Sequence, residues 1–324
     1  VDGDLFVDCS GFAAELIGKR LDEEFIEFSS ALFCDRAVVG GWQRTHEIYH
    51  PFTTAETMNA GWCWRIEHDE LINRGYVFCS KFLTDEEAVE EYQHANPLAE
   101  VAKVIGFRAG VRRRSWVGNV VAVGNATGFV EPLEATAIGM ICDATVRLVR
   151  CLQASGGRIL DEQQRIFNRI TLDNWLIIRD FLALHYKYNS RLDTPFWQAA
   201  REDVDIGAAS QFVDYYRCVG PDFSVLDWEM KRDFFTSEGY LVMLLGQQVP
   251  FDRPVQISPD DLDVWNQLKT KLSAMAAGGL NVPEFLQLAR SPDAASRFAQ
   301  RSGRGATGMT RIGEGFRMGE LNWH

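Results

Sequence analysis

Trp116-Val117-Gly118-Asn119-Val120-Val121-Ala122-Val123-Gly124-Asn125-Ala126-Thr127-Gly128-Phe129-Val130-Glu131-Pro132-Leu133-Glu134-Ala135-Thr136-Ala137-Ile138 is the stretch on which the fold turns. Val120 to Val123 form a short apolar run closed by Gly124, the pattern of a strand covered on both faces. Small residues follow. Pro132 and Glu134 then suit the first turn of a helix. Proline there lacks only an N–H that would be orphaned anyway, and an acid complements the positive end of the helix dipole. Glycines let backbone approach a bulky ligand, and N–H groups at a helix start attract anions. On the residue pattern alone, an ordinary strand–turn–helix corner stays open beside a ligand site.

Upstream, the pattern is strand-rich. Leu5-Phe6-Val7 followed by Asp8-Cys9-Ser10-Gly11 predicts a buried strand entering a tight turn. The chain opens Val1-Asp2-Gly3-Asp4, without Met, as though entered in mid-domain. Residues 26–40 are apolar without a helical period, and 61–67 and 74–82 predict paired strands joined by the polar Glu67-His68-Asp69-Glu70. Trp62 and Trp64 stand two apart, so one strand face carries both rings, as a core pair or as a functional wall. Thr84-Asp85-Glu86-Glu87 has the form of a capping box, opening a helix to about residue 95.

Downstream, Ile138, Ile141, Cys142, Val146 and Val149 recur at helical spacing, and 160–190, 224–246 and 258–276 continue in helices. The character changes near residue 150. The expected division is therefore 1–150, strand-rich; 151–300, helical and substrate-side; and 301–324, a flexible Gly-rich tail. The tail holds Gly303-Arg304-Gly305-Ala306-Thr307-Gly308, a literal GxGxxG. It follows a polar, helix-like stretch rather than a strand, so it is read as tail.

The 324 residues are 46% hydrophobic and 24% charged, a globular composition that excludes global disorder. The net charge of −12 argues against nucleic-acid binding, and Arg112-Arg113-Arg114 is too short a basic run to reverse it. Seven cysteines without a CxxC read as free thiols in a reducing, cytoplasmic setting. No apolar run is long enough to span a bilayer, and the histidines show no metal-like clustering. His185 reads as a packed or surface residue, and Tyr215-Tyr216 and Trp228 as helix packing.

The 116–138 stretch closely resembles the second flavin-contacting motif of the flavin-dependent tryptophan halogenases, relatives of the flavin monooxygenases. Other segments resemble the family in family order, over about residues 4 to 250. They are Asp4-Leu5-Phe6-Val7-Asp8-Cys9-Ser10-Gly11-Phe12, Leu32-Phe33-Cys34-Asp35-Arg36-Ala37, Gly61-Trp62-Cys63-Trp64-Arg65-Ile66, and in the helical half Arg179-Asp180-Phe181, His185-Tyr186 and Arg191-Leu192-Asp193-Thr194-Pro195-Phe196-Trp197. The resemblance implies an α/β (α+β) flavin-monooxygenase-like fold, present in part, with a mostly helical C-terminal region.

It also implies an activity. FADH2 and O2 would convert chloride or bromide to hypohalous acid, which halogenates a small tryptophan- or indole-like aromatic in a separate pocket. A separate flavin reductase would supply the reduced cofactor, and a homodimer is compatible with the family. By motif position Glu134 is similar to the catalytic glutamate, which stabilises positive charge on the attacked ring and accepts its proton. Thr136 and Ala137 match the halide pair, and Ser10, Gly11, Gly124, Asn125 and Ile138 would face the flavin. Trp62 and Trp64 resemble the wall that shields the flavin from substrate.

Ala137 stands where the family usually has Gly, Asn125 where related flavoproteins often have Asp, and Glu67 where the tryptophan motif closes with Pro. The family's N-terminal GxGxxG is not in the chain, and Lys19, Lys81 and Lys103 lie in the wrong segments for its catalytic lysine. A hydroxylating flavin monooxygenase and a non-catalytic flavoprotein fragment are the competing readings.

Overall fold

Alternation around the tryptophan pair builds the largest sheet. The computed structural model describes residues 2–222, 234–253 and 256–294, with Ala102 described through its backbone alone. Its strands, in chain order, are β1 (Phe6–Asp8), β2 (Phe25–Glu27), β3 (Arg36–Gln43), β4 (Thr54–Met58), β5 (Gly61–Glu67), β6 (Leu71–Phe78), β7 (Glu100–Gly106), β8 (Gly110–Arg112), β9 (Trp116–Val117), β10 (Val120–Ala122) and β11 (Gly128–Phe129). Five of them form an antiparallel sheet in the order β4-β5-β6-β3-β7. The expected pairing of 61–67 with 74–82 is its β5–β6 ladder, which sets Trp62 opposite Val77 and Trp64 opposite Gly75.

Period-two alternation gives this sheet two apolar faces. Trp62 and Val77 enter the main core with Trp175, Ile178, Leu182, Tyr186, Phe196 and Trp197. Cys63, Tyr76 and Phe78 point the other way, onto Ala88 and Tyr92. Those two residues belong to helix α1 (Asp85–Ala95), which starts with the predicted capping box between Thr84 and Glu87. Gly75 is required by packing: a Cβ there would sit 2.0 Å from the Trp64 ring. Glu67, the departure from the tryptophan motif, ends β5 in a largely buried ion pair with Arg44 at 2.8 Å and bonds Arg65 at 3.0 Å.

A smaller sheet, β1-β10-β9, pairs β1 and β10 in parallel, with Val7 opposite Val121. β10 is buried along its length, as its apolar run required. A third sheet has the order β11-β8-β2.

The helical half contains α2 (Ala137–Ala154), α3 (Asp161–Lys187), α4 (Pro195–Asp203), α5 (Ala209–Val219), α6 (Thr236–Gly246), α7 (Pro259–Ala277) and α8 (Val282–Ala289). The helix after Pro132 begins later than expected. Pro132–Glu134 make a separate 3₁₀ turn, ended by a left-handed Ala135 at φ 51°, before α2 starts at Ala137.

The described residues of Val1–Thr45 and Phe52–Gln256 form one compact unit, and those of His46–Pro51 and Ile257–His324 a second. The expected boundary near 150 thus falls inside the first unit. The reason is packing: α2 lies against α3, and the main core draws Val130 and Met140 from one side of that position and Trp175 and Ile178 from the other. In the second unit, α7 and α8 both start with capping boxes and bury none of their residues. The tail 301–324 with its GxGxxG, and the first part of the expected 224–246 helix, 224–233 with Trp228, lie outside the described residues.

Candidate functional site

Two cavities of the first unit border one stretch of chain. Asn125, Ala126 and Phe129 line the first, of about 450 Å³. Leu133 lines the second, of about 290 Å³. The 116–138 region therefore serves both.

At the first cavity, two left-handed glycines turn the chain at the carboxyl ends of β1 and β10, Gly11 at φ 65° and Gly124 at φ 68°. Their two short 3₁₀ turns, Gly11–Ala13 and Gly124–Ala126, pack together. A crevice at the carboxyl ends of adjacent parallel strands is where such sheets hold nucleotides. Asp8 organises this end. Its carboxylate accepts from the Ser10 hydroxyl at 2.5 Å, Leu16 N–H at 2.8 Å and Ile17 N–H at 2.9 Å. Burial pushes the Asp8 carboxyl up, but the Ser10 and backbone hydrogen bonds outweigh it and hold the group below its usual range.

The Ser10 hydroxyl also accepts from Glu15 N–H at 2.8 Å, which shapes the turn. Phe12, Phe107, Phe129, Arg108, Arg112 and Asn125 give the cavity flat apolar faces, cations and an amide. Arg112 Nε is buried and has no acceptor among the described residues. Flat rings, an amide and guanidinium groups fit the ring, ribityl hydroxyls and phosphate of a flavin, so the residues present suit that group. Ile138 is 73% exposed at the start of α2, and Ile141 one turn on lies against Gly124.

At the second cavity, Trp62, Tyr186 and Trp197 supply aromatic walls, with Leu133, His185 and Gln247 beside them. Trp64 is not in this wall. Its ring lies 6.1 Å from that of Trp62, on the same face as predicted, and its indole N–H donates to Asn73 Oδ1 at 2.7 Å. Glu134 reaches the cavity edge through His185, whose Nε2 lies 2.8 Å from Glu134 Oε1. The other ring nitrogen, Nδ1, lies 3.2 Å from the Phe181 carbonyl. A carbonyl only accepts, so the tautomer with its hydrogen on Nδ1 would satisfy this contact.

His185 is packed edge-on to Phe181, as the sequence led one to expect, and it also lines the cavity. The signal for it was its place in α3, which presents His185 and Tyr186 side by side at the cavity. Thr136 is buried at the N-terminus of α2 and makes no capping bond with its side chain. Ala137 follows as the first helical residue.

Glu131 also escaped the sequence reading. It is 1% exposed, accepts from Trp62 Nε1 at 3.1 Å and from the Tyr186 hydroxyl, and burial pushes its carboxyl up to about 7. Its signal was an acid embedded between Val130 and Pro132 in an apolar run. Tyr216, read as helix packing, is buried with Val213, Tyr240 and Leu244 in a core cluster of its own. All seven cysteines are free, with Cys34, Cys63 and Cys79 buried. Among the described residues, no helix is long and apolar enough to cross a membrane.

The comparisons agree with this geometry. A family model described as tryptophan halogenase matches residues 1–259. Tryptophan 7-halogenase RebH of Lentzea aerocolonigenes is 35% identical over 269 residues, 78% of this chain and 50% of RebH. The chain therefore spans about half the length of this curated relative. Among solved structures, MibH, a lanthipeptide tryptophan 5-halogenase, superposes with a TM-score of 0.82 at 34% identity, over 93% of this chain and 58% of MibH. Xcc4156, a flavin-dependent halogenase from Xanthomonas campestris, gives 0.79 at 30% identity, over 89% of this chain and 58% of its own. With the family model, the sequence identity and the fold in agreement, the chain belongs to the tryptophan halogenase family.

Proposed function

We propose that this chain carries the halide side and the substrate-side acid of a flavin-dependent halogenase acting on a tryptophan- or indole-like aromatic. The supporting observation is that one segment, 125–134, borders both cavities and ends in a carboxylate paired with a residue of the aromatic one. Ser10, Gly11, Gly124 and Asn125 would hold the flavin, with Ile138 at the exposed start of α2. When bound, that cofactor supplies the oxidising power that turns chloride or bromide into an electrophilic halogen. Reduced flavin would come from a separate reductase.

The remaining chemistry belongs to side chains of the chain. Thr136 and the N–H groups opening α2 would bind the halide, since helix-start donors suit an anion. Ala137 leaves that backbone donor in place but narrows the space beside it. Trp62 and Trp197 would stack the substrate ring and exclude water. Glu134 would stabilise the positive charge that develops on the ring and take its proton, and His185 orients that carboxylate through Nε2. Trp62, backed by Trp64, would keep substrate from the flavin.

The test incubates the intact protein that carries this chain with FAD, a flavin reductase, NADH, O2, bromide or chloride, and a panel of indoles, with products read by mass spectrometry. A halogenated indole is expected. Products free of halogen across the panel would overturn the reading, and oxygenated product formed without halide would favour hydroxylation instead.

A further inference from the structure

Behind the aromatic cleft lies a carboxyl group that the chemistry above does not use. Glu131 sits in the apolar main core, and burying an acid there without a cation is costly. A side chain of similar volume and no charge would fill the space more cheaply. What the acid does is visible in its bonds. Oε1 takes two donors, the Trp62 indole N–H at 3.1 Å and the Tyr186 hydroxyl. Oε2 is buried and has no partner among the described residues. Both donors belong to rings that line the cleft.

We propose that Glu131 is a positioning residue: its carboxyl group holds the Trp62 indole and the Tyr186 phenol together as one wall of the aromatic cleft, and grips them harder when ionised. When the group is neutral, its proton sits on Oε2, because Oε1 already accepts two hydrogens. The wall is then held by bonds between uncharged groups. Ionisation makes both bonds charge-assisted, about twice as strong. The titratable groups facing Glu131 are Tyr186 on α3 and Cys34 just before β3, with Tyr186 Oη 3.5 Å from Cys34 Sγ. Cys79 and Asp35 act on Cys34 from further out. Burial pushes the Tyr186 and Cys34 groups well above their ordinary values, so both stay neutral through the neutral pH range. Glu131 is the member of this cluster free to change charge there.

The cleft concerned is the one assigned above to substrate, but the test needs no turnover, so loss of the halogenase reading leaves it intact. The fluorescence of Trp62 is taken as the difference between the full chain and its Trp62→Phe variant, from about pH 5 to about pH 9. The Trp62 signal is expected to change with a midpoint at about 7. Glu131→Gln, which keeps the Oε1 acceptor but cannot ionise, should abolish the change. Tyr186→Phe removes a donor that favours the charged form, so it should move the midpoint upward. Affinity for indole, used as probe, should rise about fivefold from the acid to the alkaline end in the wild type and stay flat in Glu131→Gln. A wild-type titration that persists in Glu131→Gln overturns the proposal. If circular dichroism shows Glu131→Gln unfolded, an unmoved midpoint in Tyr186→Phe overturns it instead.

Discussion

Glu131 and Glu134 lie three residues apart in one short segment, yet they occupy opposite environments. Glu131 closes the floor behind Trp62 and is 1% exposed, whereas the Glu134 side chain is 35% exposed at the cleft edge beside His185. In a continuing helix, residues three apart would share a face. Here Glu131 is extended at φ −57°, ψ 152°, Pro132 starts a single 3₁₀ turn, and the left-handed Ala135 ends it. The backbone thus sends one carboxyl into the core and leaves the other free for solvent and proton exchange. Identical side chains acquire different chemistry from burial and partners alone.

That contrast exposes itself to measurement. The largest effect belongs to Trp62, whose ring roofs Glu131. Trp62→Ala should lose about 4 kcal/mol in urea unfolding, since it opens a cavity and strips a donor from a buried acid. Next comes pH. The Glu131 carboxyl rises from its ordinary 4.5 to about 7 on folding. The folded chain therefore binds more protons than the unfolded chain between those values. The contribution of Glu131 to stability is complete below about 4.5 and is lost as the pH climbs through about 7, a fall of about 3 kcal/mol. Unfolding at a series of pH values should show this fall as the difference between wild type and Glu131→Gln, and equal slopes would mean that Glu131 titrates alike in the folded and unfolded chains.

In the halogenation assay the order of the two acids reverses. Glu134→Gln should slow turnover about 10²-fold, while Glu131→Gln should change it only a few-fold. Equal losses would erase the functional distinction between them. His185→Asn falls between the two acids, expected to slow turnover about tenfold by releasing the Glu134 carboxylate from its partner.

Much of the architecture was legible in local patterns. The Thr84–Glu87 capping box, the β5–β6 hairpin and the buried Val120–Ala122 strand each rest on residues near in sequence, whose period or capping chemistry is a local property. The α2 start was misplaced because Pro132 and Glu134 carry the same signal for a 3₁₀ turn as for a helix, and the left-handed Ala135 has no side chain that announces it. The boundary at 150 failed because composition changes there while the core does not. The place of His185 at the cavity was missed because its partner is Glu134, a residue remote in sequence, and nothing in the aromatic pattern of α3 says which of its faces meets a carboxylate. Glu131 was missed for the same reason, since its donors come from β5 and α3.

By itself the amino-acid sequence determined the family and much of the order of the elements, because motif spacing and hydrophobic period are written along the chain. Only the tertiary structure decided which carboxyl is buried and which is free, and which histidine and tyrosine serve them. Burial and hydrogen bonding depend on segments that meet only once the sheet and α3 have packed, and these, not residue identity, set the charge on an acid.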